Sequence, residues 1–201
     1  MNQLVDKISR VLHPLAAENL ELPVRGYQPP ACDSGFVPAR SAGVLLPIIN
    51  RKNGPVMLFT VRAEHLGLHA GEVSFPGGGL EACDCNLVAA SIRETYEEVG
   101  ISAENITPVG LLDYYDTISG YRVLPVVALI KTPISLLLDE SEVAESFEVP
   151  LDFLLERSNY EFRLVERDGQ QHQIHILRWQ QHTIWGATAS MLFDLLEKLD
   201  Q

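Results

Sequence analysis

Three glutamates in one short segment have the types and the spacing to do chemistry. Glu94, Glu97 and Glu98 stand at positions i, i+3 and i+4, and a helix places their carboxylates on one narrow face. Like charges at this spacing repel by about 0.2–0.5 kcal/mol per pair. A divalent cation that prefers oxygen ligands would turn this repulsion into a binding site. On the glutamates alone, a solvated acidic face is the more ordinary interpretation, with Arg93 and Glu97 forming an ion pair four residues apart.

The helix that positions these carboxylates is predicted near 85–99. The side opposite the glutamates is the predicted core face, which carries Val88, Ile92, Thr95, Tyr96 and Val99. Ala90 and Ser91 lie on the glutamate face one turn earlier, and their small size leaves room beside the carboxylates. Asp84 is the predicted N-cap and Gly100 the predicted C-terminal stop. A glycine- and proline-containing loop over residues 75–79 leads into the helix.

Other elements follow from hydrophobic periodicity and turn residues. Helices are predicted at 2–13, from Pro150 onward and at 187–198, and residues 1–40 are expected to form an N-terminal helix and an irregular lead-in. Strands are predicted at 42–49, 56–62, 107–113, 122–131, 161–167 and 171–178, the last two joined at Asp168-Gly169. No repeat or break in composition divides the chain. We therefore expect a single domain over 1–201 that mixes sheet and helix.

Charge and cysteine content narrow the partners and the compartment. The 201 residues include 15 Lys and Arg against 27 Asp and Glu, a formal net charge of −12. This acidity argues against a broad nucleic-acid surface and against attraction to anionic membranes. Three cysteines do not make a disulfide framework, and neither a signal peptide nor an apolar run of roughly 20 residues is visible. We expect a cytoplasmic protein.

A zinc site is a weaker alternative. His65 and His69 stand four residues apart and Cys83 and Cys85 follow, but the two cysteines are closer in sequence than zinc-binding pairs normally are. Three histidines farther along the chain, His172, His175 and His182, are expected to be polar strand residues in or near the hairpin. Trp179 and Trp185 are expected to be packing or rim residues.

Residues 93–101, Arg-Glu-Thr-Tyr-Glu-Glu-Val-Gly-Ile, resemble the second half of the signature of Nudix hydrolases, which cleave diphosphates linked to a nucleoside or another group. In that signature a glycine is followed after five residues by Glu, and after seven more by Arg-Glu-apolar-x-Glu-Glu-x-Gly-apolar. Thr95 replaces the usual bulky aliphatic residue. Counting from Gly78 places Asp84 at the first Glu position, followed by one residue more than the pattern has. Counting from Gly79 places Cys85 there. The catalytic box thus spans about 77–101.

A second signature, upstream of the box, resembles the coenzyme A branch of the family. That branch carries Leu-Leu-Thr-x-Arg-(Ser/Ala), three residues, Arg, three residues, Gly, three residues and Phe-Pro-Gly-Gly. Residues 58–78 keep this register, including Thr60, Arg62 and Gly71, but Gly67 stands where the second Arg is expected. Segments 117–125 and 184–189 also look like this branch. The resemblance covers about 42–198.

The resemblance implies a Nudix α/β/α sandwich, with a mixed β-sheet flanked by helices, and a hydrolase that splits coenzyme A into 3′,5′-ADP and 4′-phosphopantetheine. Glu94, Glu97 and Glu98 would bind Mg²⁺ or Mn²⁺. Glu94 is the first choice for the base that activates water, and Glu98 for the principal ligand. Glu142 and Glu145 lie in a later segment of the kind from which some members draw the base.

The resemblance also suggests which residues contact the substrate. Arg62, Gly77 and Gly78 are candidates for substrate binding, and Arg93 for orienting the catalytic carboxylates; a surface arginine at a strand end is an equal interpretation of Arg62. The substrate is a small molecule, and a homodimer is the candidate assembly. Another Nudix substrate, such as ADP-ribose, NADH or a nucleoside triphosphate, is the first alternative. A non-catalytic binding module is the second.

Overall fold

The computed structural model describes residues 3–19, 21–27, 40–67, 69–167 and 169–200. Most of the irregular lead-in, Cys32 and Asp168 lie outside these ranges. The described helices are α1 (Gln3–Val11), α2 (Leu87–Val99), α3 (Leu151–Leu154) and α4 (Gly186–Leu199). The described strands are β1 (Val24–Gly26), β2 (Arg40–Arg51), β3 (Gly54–Arg62), β4 (Val73–Ser74), β5 (Gly77–Gly79), β6 (Ile106–Leu111), β7 (Tyr114–Asp116), β8 (Tyr121–Ile130), β9 (Val143–Pro150), β10 (Tyr160–Arg167), β11 (Gln170–Trp179) and β12 (His182–Trp185).

A large mixed sheet forms the centre of the structure. Its strand order is β1-β7-β8-β2-β3-β4, and β5, β6 and β9 pair with β2, β8 and β3 respectively. β2 and β8 run parallel from Arg40↔Tyr121 to Ile49↔Ile130, while β2 and β3 are antiparallel. β10, β11 and β12 form a second, antiparallel sheet.

Helices cover both faces of the mixed sheet. Because successive side chains of a strand point to opposite faces, β2 contributes to two cores. Leu46 and Ile48 pack in a core that also contains residues of α1 and α4. Leu45 and Ile49 pack in the other core, beside residues of α2. Each such side chain contributes roughly 1.5–3 kcal/mol by its burial. The predicted three-layer α/β/α arrangement is therefore confirmed.

The glycine segment before α2 is a strand and not the predicted loop. β5 pairs with β2, with Gly77 opposite Val44 and Gly79 opposite Ala42. Gly77 has φ +152°, and a Cβ there would lie 2.4 Å from the carbonyl oxygen of Gly43. Only glycine allows the two backbones to approach this closely.

Helix α2 differs from its prediction at its start. The N-cap is Asn86, whose side chain accepts a hydrogen bond from the Ala89 N–H at 2.8 Å, so the prediction of Asp84 was wrong. The end is as predicted, since Gly100 has φ 73° and its N–H donates to the Tyr96 carbonyl.

The predicted core face of α2 was also partly wrong. Ala90 and Ser91 are fully buried, whereas Tyr96 is 59% exposed. The reason lies across the interface, where a Cβ at Gly43 would lie 2.1 Å from the Leu87 carbonyl oxygen. The small residues of α2 therefore pack directly on β2, and this rotation carries Glu98 inward.

A cluster of charged residues fastens α4 to the edge of the mixed sheet. The Asp113 carboxylate accepts hydrogen bonds from Arg25 at 2.8 Å and Lys198 at 2.7 Å, and lies 2.8 Å from Nε2 of His13. These partners outweigh burial and hold the pKa of Asp113 at about 2. Neighbouring Asp194 is also buried, and burial together with the charge of Asp113 raises its pKa to about 6.

None of the helices among the described residues has the length and apolar character needed to span a membrane.

Candidate active site

Three carboxylates converge at the inner face of α2. Glu94, Glu98 and Glu142 each offer an oxygen, and these oxygens all lie within 4.8 Å of one another. Glu94 and Glu98 are one helical turn apart on α2, and Glu142 directly precedes β9. Hard divalent cations take carboxylate oxygens as ligands, so this group could hold one.

Glu98 is the buried member of the group. It is 3% exposed, and its Oε2 has no hydrogen-bond partner among the described residues. Burial raises its pKa to about 8, repulsion from Glu94 and Glu142 adds to the rise, and the charge of Arg62 and a hydrogen bond from the Gly77 backbone oppose it. A buried carboxylate with an unsatisfied oxygen is costly without a cation, so the residues present fit a divalent metal ion.

Glu94 lies at the boundary between the core and solvent. Burial raises its pKa first, and the neighbouring charges of Glu97 and Glu142 act in the same direction, while Arg93 opposes them. A Cβ at Gly78 would lie 2.3 Å from the Glu94 Oε1. Glycine at this position is therefore what lets the Glu94 carboxylate rest against β5.

Arg93 joins four groups around the carboxylates. Its guanidinium lies 3.0 Å from Glu94 Oε1 and donates to Glu97 Oε2 at 2.7 Å, which confirms the predicted ion pair. It also donates two hydrogen bonds of 3.0 Å to Asp84 and one of 3.1 Å to the Gly79 carbonyl. These contacts lower the pKa of Asp84 and raise that of Arg93. Arg93 thus fixes α2 to β5 and orients Glu94.

Glu97 lies apart from the three converging carboxylates. Its side chain is 51% exposed and bonds to Arg93. Sequence spacing alone singled out Glu94, Glu97 and Glu98 as one set. The structure instead brings Glu142 together with Glu94 and Glu98, and the metal-binding role of Glu97 stays a prediction.

Arg62, at the end of β3, is not a freely solvated surface residue. Its side chain is partly buried, and its Nε is buried without a hydrogen-bond partner in the described part of the chain. Its charge acts on Glu98. Because a guanidinium can bind phosphate oxygens through two N–H groups, Arg62 is a candidate phosphate contact.

Glu145 is held away from the carboxylate group. Its Oε1 lies 3.2 Å from Nε2 of His182. The His182 ring is stacked on Phe147, with 3.7 Å between ring centroids, and His182 is buried. His182 is therefore a strand residue, as predicted, and its ring is packed in the core.

The zinc alternative gains no support. His65 bonds to the Ser141 carbonyl and His69 to Glu72, while Cys83 and Cys85 are free and exposed. Within the described ranges, the grouping of potential metal ligands is Glu94, Glu98 and Glu142. Trp179 packs against Phe153, and Trp185 is 43% exposed, as predicted for packing and rim residues.

Carboxylates on a helix, backed by a glycine strand and an arginine, suit a hydrolase that uses a divalent cation to neutralise charge on a phosphate group. Comparison with known families agrees, since the NUDIX domain matches residues 38–177. The chain belongs to the Nudix family and is a hydrolase that acts on diphosphate bonds. Nudix hydrolases generally use divalent metal ions.

Relatives of similar length support this assignment. The chain is 41% identical over 160 residues to a protein of Photorhabdus laumondii described as uncharacterized Nudix hydrolase NudL, covering 80% of this chain and 85% of the relative. It is 38% identical over 156 residues to the protein of that description from Enterobacter sp., covering 78% and 81%. Among solved structures, a Nudix hydrolase of M. smegmatis, RenU, is 23% identical with a TM-score of 0.48, covering 56% of this chain and 71% of that one.

Proposed function

We propose that this enzyme hydrolyses the diphosphate of coenzyme A or its derivatives to 3′,5′-ADP and 4′-phosphopantetheine, with Mg²⁺ or Mn²⁺. The observation that carries the proposal is Arg62, which belongs to the upstream signature of the coenzyme A branch. Its Nε is buried without a hydrogen-bond partner among the described residues, and its charge acts on Glu98. That signature continues without a gap into the glycines of β5.

Glu98 and Glu94 are the proposed metal ligands, with Glu142 completing the group that converges in the structure. Glu97 stays a proposed ligand on the strength of the family signature. The ion, when bound, neutralises negative charge that develops on the diphosphate. Arg62 binds a phosphate oxygen, and Gly77 and Gly78 let the substrate approach the backbone of β5.

Glu94 is the proposed general base, oriented by Arg93. Its raised pKa makes it a stronger base than an ordinary glutamate, although it must be ionised to act. It takes a proton from water as the water oxygen bonds to phosphorus and the bond from that phosphorus to the bridging oxygen breaks. Glu98, Glu142 and Glu145 are the alternatives, and the pairing of Glu145 with His182 makes Glu145 the weakest.

Gly67 favours a second candidate function, hydrolysis of another nucleoside diphosphate-linked substrate such as ADP-ribose, NADH or a nucleoside triphosphate. The position lacks the arginine of the coenzyme A signature. It is exposed, and a Cβ there would meet no atom within 4 Å, so packing does not demand glycine. A non-catalytic module is disfavoured, because it has no need to keep Glu94, Glu97 and Glu98.

The compartment and assembly are proposed on separate grounds. Cys83 and Cys85 are exposed and free, which suits the reducing cytoplasm. A homodimer and a single domain over 1–201 remain proposals. Sedimentation velocity tests the assembly directly, and a single monomer boundary at working concentration would contradict the homodimer.

The experiment that tests the function is product analysis by chromatography. Coenzyme A, ADP-ribose, NADH and dGTP are incubated in parallel with purified enzyme and Mg²⁺ or Mn²⁺. We expect 3′,5′-ADP and 4′-phosphopantetheine from coenzyme A, formed orders of magnitude more slowly by Glu98→Gln. Preferential cleavage of another substrate would replace the coenzyme A assignment, and no cleavage of any would contradict it.

A further inference from the structure

Glu142 lies far from the catalytic box in sequence, so another part of the chain must hold it beside Glu94 and Glu98. We propose that His65 is a positioning residue that sets Glu142 in the carboxylate group by holding the carbonyl of Ser141. This inference rests on the proposed metal site and adds a residue that neither signature specifies.

Two adjacent backbone carbonyls, those of Ser141 and Glu142, accept hydrogen bonds from residues that follow the end of β3. The Ala63 N–H donates to the Glu142 carbonyl at 2.8 Å. Nε2 of His65 lies 2.9 Å from the Ser141 carbonyl oxygen, and because a carbonyl only accepts, this nitrogen carries the donated proton. The first contact is a backbone hydrogen bond that does not depend on the Ala63 side chain, whereas the second depends on the histidine side chain.

Asp139 makes the Glu142 segment rigid from the other side. Its N–H donates to the Glu98 carbonyl at 3.1 Å, and its own carbonyl accepts from the N–H groups of Glu142 and Val143. Its carboxylate accepts from the N–H of Ser141 at 2.9 Å and from the hydroxyl at 2.6 Å. A shift of Ser141 is therefore passed directly to Glu142.

The loop that presents His65 is itself closed at its base. The Arg62 N–H donates to the Glu72 carbonyl, and the Gly71 N–H donates to the Arg62 carbonyl, both at 3.0 Å. The same loop thus begins at Arg62, the proposed phosphate-binding residue, and carries His65, which bonds to the Ser141 carbonyl. His65 itself is exposed, so its replacement removes a contact without opening the core.

The test measures Mn²⁺ binding to the full chain without substrate, from the electron paramagnetic resonance signal of free Mn²⁺. His65→Phe keeps an aromatic ring but removes the donor, and we expect its Mn²⁺ affinity to fall about tenfold, the lower end for residues that orient metal ligands. His65→Gln supplies an amide N–H and should restore affinity close to that of the wild type. Turnover should follow the same order with an unchanged KM.

The matched control is His69→Asn, in the same loop. His69 bonds to Glu72 and has φ 60°, which asparagine tolerates, so Mn²⁺ affinity should not change. In metal-free His65→Phe, amide hydrogen exchange should accelerate over 139–143 while the thermal midpoint stays near that of the wild type.

The possible results distinguish the positioning role of His65 from the existence of the metal site itself. Wild-type affinity in His65→Phe, or equal weakening in the Phe and Gln variants, would overturn the positioning role while leaving the metal site intact. Failure of the wild-type protein to bind Mn²⁺ would overturn the metal site, and the positioning role with it.

Discussion

Glu98→Gln should stabilise the metal-free protein while greatly reducing the activity of the enzyme. Burial beside Glu94 and Glu142 raises the pKa of Glu98 from 4.5 to about 8. Well above pH 8, where Glu98 is ionised in the folded protein, the raised pKa corresponds to roughly 5 kcal/mol of destabilisation. At pH 7 the destabilisation is roughly 3 kcal/mol. Glutamine has nearly the same volume and no charge, so the variant escapes most of this cost.

The sign of the effect sets its pH dependence. Because the pKa is raised in the folded state, the folded protein holds a proton that the unfolded chain releases above about pH 4.5. The stability associated with that proton is fully present below pH 4.5 and is lost as the pH rises through about 8. The free energy of unfolding of the wild type should therefore fall relative to that of Glu98→Gln across this range.

Urea unfolding in the presence of a chelator, at several pH values from 4.5 to 8, measures this difference. Glu97→Gln is the matched control for stability, because Glu97 is half-exposed on the same helix and should show no such trend. In parallel, loss of a metal ligand should reduce kcat by about 10³-fold, since several kcal/mol of charge stabilisation disappear at 1.36 kcal/mol per factor of ten. A stability difference that does not grow with pH would refute the buried-charge reasoning, and near-normal turnover would refute the catalytic role.

Three further outcomes follow from particular contacts. Gly78→Ala places a Cβ against the Glu94 carboxylate, so kcat should fall about 100-fold with little change in thermal midpoint; unchanged kcat would show that Glu94 is free to move. Gly67→Arg enters open space, so it should lower the KM for coenzyme A several-fold without loss of stability, and an unchanged KM in steady-state kinetics would dismiss a phosphate contact there. Asp113→Asn should lower the free energy of unfolding by about 2 kcal/mol at pH 7. In urea titrations this difference between wild type and variant should disappear as the pH falls from 3.8 to about 2. A difference that persists at pH 2 would argue against the ion pairs as its source.

The local part of the site could be predicted from the sequence because helical spacing is a local property. Glu94 and Glu98 lie on one face of α2, and Arg93 pairs with Glu97, as their separations require. The residues that escaped prediction depend on distant partners. Asp84 does not cap the helix because Arg93 binds its carboxylate, and Ala90 and Ser91 are buried because Gly43 leaves space across the interface.

Strand β9 was missed for a related reason. Its described pairing is with β3 alone, and it carries Glu145, Glu148 and a terminal Pro150, residues that are unfavourable in a central strand but tolerated at an edge. Without this pairing, nothing in the sequence places Glu142 beside α2. The strands β2, β3 and β8 were predicted well because their apolar runs are long and almost uninterrupted.

The pairing of β9 with β3 also bears on the life of the chain before it is complete. During synthesis the catalytic box leaves the ribosome well before residue 142, so a nascent chain exposes Glu94 and Glu98 without their third partner. His65 likewise has no Ser141 carbonyl to bond to until that residue has been synthesised. On the proposed metal site, the three carboxylates therefore come together only when β9 has joined the sheet, and a chain truncated before residue 142 should bind Mn²⁺ more weakly than the full chain.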